Sequence, residues 1–301
     1  MPAERTPVVH PVPEIDVDEH LARTLVRDQH PDLADLPLTW AGTGWDNVLW
    51  RLGDDLALRF PVRAASAPLV EHEQRWLPVL APLLPVATPV PVRTGVPSTR
   101  YPWAWSVVPW FDAAPAWRTP VRERAAWVPE LADVLVALHR PAPPDAPHNP
   151  FRGVPLAPDA TVLRERLDRL ALPDADRVLA LRAELAAAPA WDGPALWLHG
   201  DPHPANLLVH DGRLRAVIDF GDVTSGDPAS DLATAWLTFD ADGRADLRDR
   251  LDRARGWDDA VWRRARAWAL HLGVVLQMHP VDHPHLAAVG RHAVSEALDG
   301  D

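Results

Sequence analysis

A chain of 301 residues, 47% apolar, is long enough to bury one large core or two moderate ones. Its formal net charge of −12 speaks against a nucleic-acid partner and suits a cationic small molecule, although a plainly solvated acidic surface would carry the same excess. The lack of cysteine excludes disulfides and thiolate chemistry. No apolar run is long enough for a membrane span, and "MPAERTPVVHPVPEID" lacks a secretory core, so no membrane and a cytoplasmic location are expected.

In chain order, an amphipathic helix is predicted over 16–29, with Leu21, Leu25 and Val26 on its apolar side. "LTWAGTGWDNVLWRLGDDLALRFP" predicts two strands, the first breaking at Gly42-Thr43-Gly44 and the pair turning at Gly53-Asp54-Asp55. A helix is predicted next over 67–80, which Pro78 should kink or shorten. "PVPVRTG" and "WAWSVVPW" predict two further strands. Beyond Asp112 the pattern is mainly helical. Thr119-Pro120 starts a helix carrying Leu131, Leu135 and Leu138, and others are predicted over 163–170, 175–187, 229–237, 260–276 and 286–298. The 34 prolines are dispersed and read as turns and helix starts. A strand-rich first third before a helix-rich remainder predicts an α+β fold of two lobes, residues 1–110 and 111–301, hinged near 108–112.

The chemistry concentrates in "WLHGDPHPANLLVHDGRLRAVIDFGD", residues 197–222. Asp211-Gly212 between alternating strands is a strong hairpin signal, because both central residues of a type I′ turn need positive φ. Counting outward from that turn pairs His210 with Arg213, places Asn206 opposite Val217, and sets Asp219 one diagonal step beyond. An amide and a carboxylate side by side suit Mg²⁺, which takes few protein oxygens and completes its shell with phosphates. His199, Asp201 and His203 alternate like a zinc strand, yet Pro202 and Pro204 make the segment a loop. Zinc would also leave Asn206 and Asp219 without a task.

"HGDPHPANLLV", "VIDFGD" and "GDPASDLA", in that order, resemble the aminoglycoside phosphotransferase and choline kinase-like family, which shares the protein-kinase fold. The resemblance runs from about Thr39 to Thr238. It implies that Asp201 accepts or orients the proton of a substrate hydroxyl, that Asn206 and Asp219 hold Mg²⁺, and that His199 and His203 brace the loop. Asp222 and Asp227 either face a cationic substrate or cap turns, and Asp231 has a structural role.

In the first lobe the family's phosphate-binding lysine is replaced by Arg59, in "LALRFP". Helical phasing places Glu73 in the Leu69–Trp76–Leu80 stripe and Glu71 on the opposite side, so Glu73 is the expected partner of Arg59. Gly42, Thr43 and Gly44 form the candidate phosphate-covering turn, without the third glycine of that pattern. Pro109 and Phe111 occupy the place of the hinge, where Pro109 can offer only its C=O to a purine while Phe111 keeps its N–H. The expected activity is Mg²⁺-dependent transfer from ATP or GTP to a small-molecule hydroxyl, an aminoglycoside first, with acids such as Asp240, Asp242 and Glu296 lining its pocket. A macrolide, choline, homoserine or other acceptor fits the same core, and a nucleotide-binding pseudokinase is the alternative of another class. Nothing in the sequence separates monomer from dimer.

Overall fold

The computed structural model describes residues 12–157 and 159–300, so the reading of residues 1–11 lies outside the described residues. After the helix α1 (Glu19–Gln29), capped by the Asp18 carboxylate on Leu21 N–H at 2.7 Å, the chain enters an antiparallel five-stranded sheet. Its strands are β1 (Leu38–Thr43), β2 (Asn47–Leu52), β3 (Leu56–Pro61), β4 (Arg93–Gly95) and β5 (Trp105–Pro109), in the spatial order β1-β2-β3-β5-β4. The first stretch therefore makes three strands, where two are expected from the pattern. Gly42-Thr43-Gly44 does not interrupt one strand: it ends β1 after a bulge at residue 41, and Gly44 N–H closes the turn on Asn47 C=O at 2.8 Å. Leu25 and Val26 of α1 pack with Leu58, Phe60, Tyr101, Trp105 and Val107 into one apolar cluster.

On the other side lies α2 (Ala67–Leu80), which runs through Pro78 without breaking. Pro78 sits in the exposed last turn, where a missing N–H forfeits a single intrahelical bond. Trp76, Leu77 and Leu80 of this helix join the second, larger apolar cluster. The helix thus couples the sheet to the larger lobe.

The remainder holds two small sheets set among helices. β6 (Ala114–Pro115) flanks the hairpin β8 (Leu207–His210) and β9 (Arg213–Val217), while β7 (Leu196–Leu198) pairs with β10 (Thr224–Gly226). Around them stand α3 (Val128–Leu138), α4 (Thr161–Leu170), α5 (Ala175–Ala186), the short α6 (Ala229–Leu232) and α7 (Thr234–Thr238), then α8 (Ala241–Arg255), α9 (Asp259–Leu276) and α10 (Pro284–Asp299). α9 is the spine of this lobe. Its Val261, Trp262, Trp268 and Leu272 are buried against neighbours that include α5, α6 and α10, each burial contributing roughly 1.5–3 kcal/mol. The predicted 229–237 helix divides at Ala233, and α8 and the three short strands β6, β7 and β10 lie outside the sequence expectations. Small sheet-bearing lobe and larger helical lobe make the two-lobed α+β fold. Among the described residues no helix is long and apolar enough to cross a membrane.

Candidate active site

The hairpin turns where expected, with positive φ at Asp211 (50°) and Gly212 (71°) and the pairs His210–Arg213 and Val209–Leu214. Beyond them the register departs from the simple count. A bulge at residue 215 shifts the pairing, so Leu207 faces Val217 and Asn206 C=O accepts from Ile218 N–H at 2.9 Å. Asn206 therefore lies opposite Ile218, and Asp219 is the next residue along. Asp219 itself turns into the left-handed region at φ 63°, which Asp tolerates better than most side chains.

The loop before the hairpin is held from beneath. The fully buried Asp231 carboxylate accepts from His199 N–H at 2.8 Å and Gly200 N–H at 2.9 Å, and His139 Nε2 meets it at 3.2 Å. Gly200 has φ 91°, and a Cβ there would lie 2.2 Å from the Asp222 C=O, so no other residue fits this crossing. His199 Nδ1 accepts from Asp201 N–H at 3.1 Å while its Nε2 reaches Ile218 C=O at 3.0 Å, tying the loop to the end of the hairpin. His203 Nδ1 accepts from Ala205 N–H at 3.2 Å, which leaves Nε2–H as the donor toward Asp201 Oδ2 at 3.2 Å. Both histidines brace this loop. Asn206 Nδ2 donates to Asp201 C=O at 3.0 Å, leaving Oδ1 as the amide's outward acceptor.

Asp201 also has an arginine beside it, for which no motif in the chain is a signal. Arg152, from a loop after α3, donates through Nε to Gly200 C=O at 2.7 Å and stands 3.5 Å from Asp201 Oδ1. Burial raises the Asp201 carboxyl, but His203 and then Arg152 outweigh it and hold the group well below the usual carboxylate range. Asp201 in turn draws the His203 ring above its ordinary pKa against the effect of burial. Asp222 lies on the same side, its Oδ1 accepting from Asn149 Nδ2 at 2.7 Å. Burial, then the Asp201 charge, pushes its carboxyl up.

Across the cleft Arg59 of β3 forks between two carboxylates, Nη1 on Glu73 Oε2 and Nη2 on Asp219 Oδ1. Glu73 is buried and Glu71 exposed, as the helical phasing requires. Burial opposes the Arg59 charge, yet the two carboxylates more than offset it and lift the guanidinium above its ordinary pKa. Asn47 is a further neighbour: with its amide oxygen toward the guanidinium it accepts from Arg59 Nη2 at 3.0 Å. The Gly42-Thr43-Gly44 turn lies beyond. Its neighbour Trp45 contacts the rings of His279 and His283, 4.8 and 5.2 Å between centroids, so the turn reaches the α9–α10 connection. At the hinge, Pro109 ends β5 opposite Leu56, and Phe111 C=O accepts from Ala113 N–H at 2.9 Å.

The site thus combines a buried arginine, forked between a helix glutamate and a hairpin aspartate, with a proline-interrupted loop that carries a carboxylate. A family model described as the phosphotransferase enzyme family covers residues 38–268. The chain belongs to this family. Similar solved structures have the same fold at low identity. The GDP complex of wild-type aminoglycoside 2'-phosphotransferase-IIIa superposes with a TM-score of 0.68 at 19% identity, over 94% of this chain and 99% of that one. The apoenzyme of macrolide 2'-phosphotransferase MphH from Brachybacterium faecium gives a TM-score of 0.58 at 20% identity, over 91% and 97%. The uncharacterized protein YcbJ of Bacillus subtilis (strain 168) is 28% identical over 98 residues, 32% of this chain and 30% of that relative's length.

Several acids expected to face an acceptor in this phosphotransferase are engaged elsewhere. Asp227 is buried and bonded by Arg264 through Nε at 2.7 Å and Nη2 at 3.2 Å, while its Oδ1 also caps Ala229 N–H. A carboxylate taken out of water needs such a partner, and Arg264 supplies it to Asp227. Glu296 pairs with Arg244 at 2.7 Å, and Asp240 caps α8 on Gly243 N–H at 3.0 Å. Asp242 is an exposed first-turn residue of α8.

Proposed function

We propose that this phosphotransferase is a small-molecule kinase that moves the γ-phosphoryl group of ATP or GTP to a substrate hydroxyl. The observation that carries the reading is the assembly around the cleft: Asp201 fixed by His199 and His203, beside Asn206 and Asp219, with Arg59 opposite. Asp201 is positioned to accept the hydroxyl proton as the hydroxyl oxygen takes the phosphoryl group, and its depressed pKa keeps it ionised. Arg59 lends positive charge to the phosphates, Gly42-Thr43-Gly44 covers them, and Pro109 and Phe111 face the base. Asn206 Oδ1 and Asp219 would hold Mg²⁺, which supplies charge neutralisation on the phosphate oxygens. The donor set fits that ion, since an amide oxygen and a carboxylate are hard oxygen ligands that leave room for phosphate oxygens.

The structural neighbours are named for aminoglycosides and macrolides, and these are reasonable first acceptors to assay. The acidic lining that a polycationic sugar would use is depleted, however, by the pairing of Asp227 and Glu296 with arginines. That favours another small hydroxyl compound. Asp201→Ala, assayed for ATP turnover with Mg²⁺ and an acceptor panel, should lose about 10²–10⁴-fold in rate. Turnover equal to wild type would support the pseudokinase reading instead.

A further inference from the structure

The segment that joins α9 to α10 carries His279, His283 and His285, the last in the first turn of α10. Its rings touch both parts of the site. His285 stacks on Trp117 with 5.0 Å between centroids, and Trp117 N–H donates to Pro204 C=O of the catalytic loop at 3.1 Å. His283 lies 6.0 Å from His285. The indole of Trp45 then stands 5.2 Å from His283 and 4.8 Å from His279, edge-on to the latter. Trp45 belongs to the small lobe and directly follows the Gly42-Thr43-Gly44 turn. A run of ring contacts thus leads from the catalytic loop, over the α9–α10 connection, to the turn that covers the phosphates. The tip of that turn is open: among the described residues a Cβ at Gly42 would meet nothing within 4 Å, and one at Gly44 only Asn47 C=O. Immediately after Trp45 the chain is fixed, since Asp46 pairs with Arg63 and its C=O accepts from Val62 N–H at 3.0 Å and Ser66 Oγ at 3.2 Å. Trp45 sits between this anchored base and the open tip.

We propose that Trp45, His279 and His283 form a clasp between the lobes that holds the glycine turn over the nucleotide phosphates, which makes them positioning residues for phosphoryl transfer. The inference rests on the kinase reading for the place of the phosphates. Edge-to-face contact of imidazole with indole sets a positive ring edge against a negative ring face and shields apolar area from water. A glycine turn has much conformational freedom to lose, and a hold supplied from the other lobe lowers the entropy lost when it orders on a nucleotide. The α9–α10 connection thereby becomes part of the nucleotide site, and release of the nucleotide requires the clasp to open.

The test follows release of a fluorescent, ribose-labelled ATP or GTP analogue, whichever binds tighter, from the protein with Mg²⁺. Stopped-flow displacement by excess unlabelled nucleotide gives the rate in wild type, Trp45→Ala, Trp45→Phe and the double variant His279→Ala/His283→Ala. A triple variant combines the double with Trp45→Ala. Breaking the clasp from either lobe should speed release about tenfold, whereas Trp45→Phe, which keeps a ring, should stay within about threefold of wild type. The triple variant should release no faster than Trp45→Ala, because a clasp already broken from one side cannot be broken again. Trp45 is 38% exposed, so its removal leaves the buried core intact. The histidines stand on the other lobe, so an effect of their loss that vanishes in the Trp45→Ala background is not a loosening of the turn by itself. Unchanged release in the histidine variant, or effects that multiply in the triple variant, would overturn the clasp and leave the kinase reading standing. Failure of wild type to bind either analogue would instead overturn the kinase reading.

Discussion

Arg59 and Arg182 are both buried arginines, and their surroundings differ. Arg59 sits between Glu73 and Asp219, so its single charge is already outnumbered by two carboxylates. Arg182 donates through Nη2 to Ala157 C=O and pairs with no carboxylate among the described residues. A polyanionic nucleotide bound beside a compensated arginine needs additional positive charge, and Asn206 and Asp219 are the groups to hold it as a divalent cation. The contrast also shows why arginine serves at position 59. Its fork bonds two carboxylates with two different nitrogens, whereas a lysine offers one point charge.

The largest break at Arg59 should come from Asp219→Asn. It removes one of the two carboxylates on Arg59 and the only charged ligand of the proposed cation site. The expected result is a loss of about 10³-fold or more in kcat, roughly 4 kcal/mol, with an unchanged circular dichroism spectrum. Phosphoryl transfer at the wild-type rate would contradict the assignment. Glu73→Ala comes next. It leaves a buried arginine with one half-exposed partner, and the loss should be about 3 kcal/mol of stability together with weaker nucleotide binding. Glu71→Ala, on the exposed face of α2, should do neither. Denaturant titration and nucleotide affinity of the two variants, compared directly, decide it.

Legibility in the chain is uneven. The nucleotide side is readable because its determinants are local: Asp211-Gly212 forces a turn, two prolines force a loop, and the spacing Leu69–Glu73–Trp76 selects one glutamate. Even there the register of Asn206 comes out one residue off, since a bulge at residue 215 leaves no signature in a simple alternation. The arginine beside Asp201 is not readable, since Arg152 lies in a proline-rich connection that carries no motif. Asp227 misleads for the related reason that its partner Arg264 is supplied by a distant helix. α8 has readable ends, an Asp240 cap and a Gly256 stop, but its core face is little more than Leu247 and Leu251 in a highly charged segment.

The smallest expected effect is a pH dependence at His271. Burial, and then the charges of Arg182, Arg152 and Arg166, hold the His271 ring down to about 3 from its ordinary 6.5. A depressed pKa means the unfolded chain takes up this proton first. The contribution of neutral His271 to stability is therefore intact above pH 6.5 and is lost progressively as the pH falls toward 3. The steepest slope one such group can give is about 1.4 kcal/mol per pH unit. His271→Gln, which stays neutral, should show a shallower loss across that window in urea titrations. A slope in His271→Gln as steep as in wild type would show that this ring does not set the loss.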